Sequence, residues 1–238
     1  MLLGMTKSYA SFSKSQEREE MNVAVKSLLL TLSALLPIVN PLGGSPIFLS
    51  LTRDYSRDAR QMLSRRIAVN SFFLLVGSYL VGAHVLAFLG ISLPVVQVGG
   101  GLVVISTGWA MLKRREEEER NEARSGVRTE DVFRQAFYPL TLPLTVGPGS
   151  IAVAITLGAN SPHNNATKLL TVLAALVGCL LVAIIILICY GFAERLARAI
   201  GNTGMSVIMR LSSFLLVCIG VQILWNGASA LIASLPAR

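Results

Sequence analysis

Charge is what this chain has least of. Only 14% of its 238 residues are charged, where an ordinary soluble domain carries about 25%. The acidic residues are confined further, to Glu17 to Glu20, Asp54 to Asp58, Glu116 to Asp131 and the isolated Glu194. No Asp or Glu falls inside an apolar stretch. That leaves no paired carboxylates for acid–base chemistry and no buried carboxylate for a proton relay. Histidine and cysteine are nearly as scarce. His84, His163, Cys179, Cys189 and Cys218 offer no metal-ligand spacing. The three thiols lie within apolar segments, where buried, inert side chains are expected. Walker, GxSxG and HExxH patterns are all missing. The chain is therefore read as a protein other than an enzyme, without a metal or cofactor.

What is abundant is apolar sequence: 53% of the residues, with a mean hydropathy of +0.63. Uncharged runs of about 20 residues separate the polar blocks, the length a helix needs to cross the hydrocarbon core. The expected partner is the lipid bilayer. The formal net charge of +8 sits largely in short loops, where it serves topology and gives no reason to expect nucleic acid.

The expected fold is an all-α membrane protein of six spans. The first runs from about Asn22 to Thr52, the second from Ile67 and the third from Pro94. The fourth runs from about Val132 to Leu157, the fifth from Leu169, and the sixth from about Leu211 to Ala233. Residues 1–21 are read as a polar tail outside the fold, an extension upstream of a start near Met21, with no signal-peptide core. Residues 22–112 form a first three-helix unit, 113–131 a solvated charged connector, and 132–238 a second unit. Arg53, Arg57, Arg60, Arg65 and Arg66 follow the first span. Lys113, Arg114, Arg115, Arg120, Arg124 and Arg128 follow the third, and Arg195 and Arg198 the fifth. The opposite loops have only Lys168. By the positive-inside rule both termini lie outside the cytoplasm.

Two of the spans contain strong helix breakers. "LLPIVNPLGGSPIFLSL" lies in the first and "FYPLTLPLTVGPGSIAV" in the fourth. Aligned, Pro37, Pro41 and Pro46 coincide with Pro139, Pro143 and Pro148, and Leu42 with Leu144. Gly108 and Leu112 of the third span match Gly220 and Leu224 of the sixth more weakly. A unit with an odd number of spans inverts its copy, so the chain reads as two inverted repeats with spans one and four discontinuous, the plan of many secondary transporters. Ser45-Pro46 and Gly147-Pro148 look like helix starts in mid-membrane. Their free N–H groups would favour a carboxylate, and the carbonyls ending the first half-helices, near Leu36 and Tyr138, would receive an ammonium. Asn40, Ser45, Thr141, Thr145 and Ser150 add neutral hydrogen-bonding groups. A small zwitterionic solute suits that inventory.

Other features have plainer readings. Gly99 to Gly101, Gly77 and Gly82 suit close helix approach, and Asn70, Gln97, Gln222 and Asn226 suit interhelical hydrogen bonds. Trp109 and Trp225 fit interface anchors. His84 fits an interfacial side chain, and Arg210 a snorkelling one.

"NPLGGSPIF", "PLTLPLTVGPGSI" and "VGGGLVVISTGWAML" together resemble the MarC family of bacterial inner-membrane proteins, and the similarity runs from Met21 to the C-terminus. The resemblance implies six spans in the inner membrane. It also implies kinship with transporters of small neutral amino acids such as glycine and alanine, driven by a cation gradient of H+ or Na+. Carried onto this chain, it places substrate at Asn40, Pro41, Leu42, Gly43, Gly44 and Ser45 and at Pro143, Leu144, Thr145, Gly147, Pro148 and Gly149, beside Thr141 and Ser150 from the polar inventory. A homo-oligomer is compatible with this reading. A membrane scaffold that moves no solute, or an exporter of other small molecules, remains the alternative.

Overall fold

The computed structural model describes residues 2–53, 55–118, 136–161 and 165–235. Most of the charged connector, from residue 119, and the first residues of the fourth segment lie outside these. Among the described residues the architecture is helical throughout, with α1 (Leu2–Val39), α2 (Pro41–Leu51), α3 (Arg57–Phe88) and α4 (Leu93–Glu118) followed by α5 (Ala136–Thr145), a wide, irregular coil. The chain continues into α6 (Pro148–Ala159), α7 (Asn165–Gly191) and α8 (Ala193–Ala233). Five stretches are long and apolar enough to span a membrane, and α5 with α6, bent by 69° at their junction, makes a sixth. The first of these includes both α1 and α2, as Glu20–Leu51. The polar residues read as a separate tail are drawn as the opening turns of α1.

Local chemistry fixes several boundaries. Ser56 caps α3, its hydroxyl accepting from Ala59 N at 3.2 Å, with Asp58 in the first turn. Thr52 closes α2 by returning both its amide and its hydroxyl to the Phe48 carbonyl. Within α8, Gly201 has φ 74°, a conformation that glycine adopts without a Cβ penalty. It separates a short polar helix from the sixth span, Thr203–Ala233.

The buried core draws on α1, α2, α3, α5, α6 and α7. Leu35, Phe48, Leu63, Ile67, Leu75, Val182, Ile186 and Tyr190 are almost wholly enclosed. The outer surface stays apolar, with Phe73, Phe88, Leu173 and Trp225 largely exposed. That is the surface expected of a protein whose solvent is lipid. Cys179 and Cys189 are buried, but Cys218 is exposed. Its position on the outer face of α8 overrides the burial expected from its apolar neighbours. Gln222 likewise bonds Asn226 within its own helix, at 2.9 Å, and not another span.

α4 and α8 form the tightest pair. A Cβ at Gly101 would lie 2.6 Å from Leu224 N and 2.7 Å from Gly220 O, and one at Gly220 would lie 2.7 Å from Ile105 N. Gly108 meets Ser213 O and Gly227 meets Pro94 O in the same way. Backbones this close leave no room for side chains, the small-residue packing that holds helices together in lipid. Gly99, with nothing within 4 Å of its Cβ position, stands outside this seam. Gly101→Val should accordingly destabilise the protein by about 2–3 kcal/mol through overpacking. Gly99→Val should leave it within about 0.5 kcal/mol of wild type. Thermal unfolding of both variants in detergent checks the pair, and equal melting would refute the seam.

Candidate functional site

The first interruption is a single residue. Asn40 adopts left-handed geometry (φ 47°, ψ 59°) between α1 and α2, with Pro41 in the first position of α2. Asparagine tolerates this region better than most residues because its amide bonds locally. Its Oδ1 accepts from Gly43 N at 3.1 Å, its carbonyl accepts from Gly44 N at 2.9 Å, and its own N–H donates to Leu36 O at 2.9 Å. The helix start therefore lies at Asn40-Pro41, five residues before the Ser45-Pro46 start expected from sequence. Asn40 already supplies the side-chain cap, and Ser45 and Pro46 lie within α2. Nor does α1 end near Leu36, since the Leu36 carbonyl is taken by Asn40. The Ser45 hydroxyl donates to Leu42 O at 2.9 Å. That carbonyl is the one Pro46, lacking an N–H, leaves unbonded.

The second interruption is longer. Tyr138 (φ −127°, ψ 124°) and Leu142 (φ −112°, ψ 121°) are extended, and each precedes a proline. Gly147, before Pro148, is extended as well, with ψ 173°. A proline ring pushes its predecessor out of the helical region, and all three positions obey. Hydroxyls again bond to backbone carbonyls. Thr141 donates to Ala136 O at 2.6 Å, Thr145 to Leu140 O at 2.7 Å and Ser150 to Gly147 O at 2.8 Å. α6 begins at Gly147-Pro148, as the sequence suggests, with no side-chain cap.

Tyr190, on α7, joins the two interruptions. Its ring stacks on Phe48 of α2 with centroids 4.7 Å apart and planes 8° from parallel. Its hydroxyl lies 3.0 Å from Thr145 Oγ1. A Cβ on Gly44 would meet that hydroxyl at 2.6 Å. Beside this junction is a cavity of about 290 Å³, near the lower limit for ligand pockets. Its walls include Asn40 and Gly44 from the first interruption, Pro143 and Leu144 from the second, and Thr107 and Met111 from α4. Among the described residues no charged side chain lines it. The Asn40 amide offers an unspent donor, because Nδ2 is buried and without a partner. The bond from Gly43 to Oδ1 settles which end of the amide is which.

Of the residues singled out from sequence, Asn40, Gly44, Pro143 and Leu144 thus face one space. Gly43 packs under the Asn40 side chain, which a Cβ would strike, and Gly149 packs against Val104. Pro41 is buried and Leu42 exposed. Ser45, Thr141, Thr145 and Ser150 are buried and bonded to backbone carbonyls. Thr141 also receives Asn70 Nδ2 at 3.5 Å. Gly147 and Pro148 form the α6 start without lining the cavity. Tyr190 and Thr107 were not expected. A tyrosine deep in an apolar run was the available signal for the first, and a threonine in a Gly-rich span for the second.

The MarC family of integral membrane proteins has a sequence model that matches residues 25–232. This chain belongs to that family. The MarC-family assignment extends to close relatives in detail. The chain is similar to the inner membrane protein MarC of Salmonella typhimurium, 33% identical over 87% of this chain and 96% of the relative. It is similarly related to the MarC proteins of Escherichia coli O1:K1, 34% identical over 85% and 94%, and Citrobacter koseri, 32% over 87% and 96%. No solved structure matches it. It is a multi-pass inner-membrane protein, as its relatives are named and its apolar helices require.

In this MarC-family protein the Tyr190 junction makes a definite demand on Gly44. Gly44→Ala should destabilise it by about 1–3 kcal/mol by displacing a fixed, buried ring. Tyr190→Phe alone should cost about 1 kcal/mol for the lost hydrogen bond. Combined, they should cost less than their sum, since the next ring atom lies 3.5 Å from the added methyl. A double-mutant cycle by thermal unfolding measures this, and additive costs would break the proposed contact.

Proposed function

We propose that this protein is a secondary transporter that moves small neutral amino acids, glycine- or alanine-like, or similar small polar solutes by alternating access. The single observation carrying the reading is that two interrupted spans with identical proline spacing wall one small cavity, lined by uncharged residues that include Asn40, whose buried Nδ2 has no partner. Irregular backbone at membrane depth persists where it is covered by protein or lines a cavity, and here it borders one. A zwitterion fits such a space without a charged side chain, its ends resting on backbone dipoles and the Asn40 amide.

Packing supports the inverted-repeat plan on which this reading draws. α1 packs on α7 as α5 and α6 pack on α3; α2 packs on α8 as α6 packs on α4. The pairs α4–α8 and α3–α7 are their own counterparts. Exchanging the first half of the chain for the second therefore maps this pattern onto itself, with spans one and four as the discontinuous pair. The ion pairs between Arg57, Arg60 and Glu194 bring the loops after spans one and five to one face. On the charge rule that face is cytoplasmic and both termini are opposite. Coupling to H+ or Na+ is part of the proposal, as is function without enzymatic chemistry.

Proteoliposomes should take up labelled glycine or alanine. Asn40→Ala should reduce the flux by at least about ten-fold, since it removes both the Nδ2 donor and the Oδ1 cap on Gly43. Gln222→Ala, at an exposed position, should leave it unchanged. A cysteine at Thr107, in a chain without the three native thiols, should react with a water-soluble maleimide and be protected by solute. Wild-type liposomes without solute-dependent uptake, together with an unreactive cysteine at 107, would point to a packed scaffold instead.

A further inference from the structure

A second polar site lies at the end of the bundle where α2 turns into α3 and α7 into α8. Arg57, Arg60, Arg195, Arg198 and Glu194 line a cavity of about 90 Å³ there, with Tyr190 also on its wall. The lining thus holds four guanidinium groups and one carboxylate. That carboxylate is already engaged, with Oε2 3.4 Å from Arg57 Nε and Oε1 3.3 Å from Arg60 Nη1. Arg195 lies over the Phe192 ring at 5.4 Å. Arg198 reaches only the Glu194 backbone carbonyl, at 3.4 Å. Neither has an ion pair among the described residues.

Arg60 forms the back of the pocket. Its side chain is only 12% exposed. Nη2 donates to Thr52 O at 3.3 Å and to Tyr55 O at 3.2 Å. Its Nε is buried and has no partner. Burying a cationic donor without an acceptor costs several times what a satisfied hydrogen bond contributes. Topology alone asks for positive charge near a span end. It does not ask four arginines from two helix starts to converge on a cavity, or one of them to be buried.

We propose that this pocket binds a phosphate oxyanion, from an anionic lipid headgroup or from free phosphate, on Arg57, Arg195 and Arg198 with Arg60 behind them. Guanidinium groups suit phosphate because their paired donors match its oxygens. Basic pockets between helices at the membrane boundary bind lipid headgroups by the same chemistry. The occupant would brace α3 against α8 immediately behind Tyr190. The site does not depend on the transport reading, since it needs no solute flux.

The test uses the full chain, delipidated in neutral detergent, with native mass spectrometry and thermal unfolding as readouts. Phosphatidylglycerol should be retained and should raise the melting temperature, and phosphatidylcholine should do neither. Arg195→Gln with Arg198→Gln should weaken retention about ten-fold, the loss of one to two charge-assisted bonds. Arg57→Gln alone should give a smaller loss, which keeps the test independent of the double variant's folding. A charge-matched control, Arg53→Gln with Arg65→Gln, should bind as wild type. If inorganic phosphate stabilises the protein with the same arginine dependence and phosphatidylglycerol does not, the site stands with a soluble anion as its ligand. Equal lipid binding by wild type, pocket variants and control, or no response to either probe, overturns the proposal.

Discussion

Hydrocarbon offers no hydrogen-bond partners, so every loosened peptide group inside this protein must find one within it. Each unmet group would cost several kcal/mol. That constraint organises both interrupted spans. Pro46 abandons the Leu42 carbonyl, and the Ser45 hydroxyl takes it at 2.9 Å. Asn40 caps the amide of Gly43 with its own side chain. In the second span Thr141, Thr145 and Ser150 also donate to backbone carbonyls, although not to those that Pro143 and Pro148 leave. The small hydroxyl residues that crowd the two motifs are thus committed to the backbone. Thr107, on the cavity wall, likewise donates to Val103 O at 2.8 Å, whereas the Asn40 amide keeps an unused donor.

The same economy governs packing. Where α4 meets α8 the backbones touch through glycine, and no polar side chain is required. That pair is joined to the remaining helices less evenly, and cavities of about 230 Å³ and 290 Å³ lie along its border with α1 and α6 and with the two interruptions. Ile38 lines both. Gln97 and Asn226, expected as interhelical bonding groups, face the smaller one. A transporter that alternates access needs a seam along which one rigid group can shift against another. Under the transport reading that seam would lie between the glycine-locked pair and the core bundle built on Leu35, Phe48 and Ile186.

The spans were legible in the sequence because hydropathy over a window decides them, and the departures from helix at Asn40, Tyr138, Leu142 and Gly147 each stand before a proline, as local rules require. The α6 start at Gly147-Pro148 follows from those rules directly. The α2 start did not, because two caps competed within six residues and Asn40, able to enter left-handed geometry, won over Ser45. The Tyr190 junction was illegible for another reason. Nothing in the run "IIILICYGF" states that its tyrosine faces Gly44 and Thr145; that depends on how α7 packs against two other spans. Site residues chosen by motif alone were consequently a mixture. Asn40, Gly44, Pro143 and Leu144 share a cavity, whereas Thr141 and Ser150 serve the chain that carries them.

The two interruptions also differ in depth, although their prolines are equally spaced. In the second, all three residues before proline are extended. In the first, Leu36 and Ser45 remain helical before Pro37 and Pro46, and only Asn40 departs. Similar sequences therefore hold two conformations within one molecule. If the two halves are an inverted repeat, this asymmetry is what one end state of an alternating-access cycle would show. Under the transport reading the opposite state follows when the motifs exchange roles, with the first unwinding at Pro37 and Pro46 and the second tightening around Pro143. The hydroxyls make such an exchange affordable. Ser45 and Ser150, already bonded to carbonyls beside the prolines, keep those groups satisfied while the helical bonds around them change.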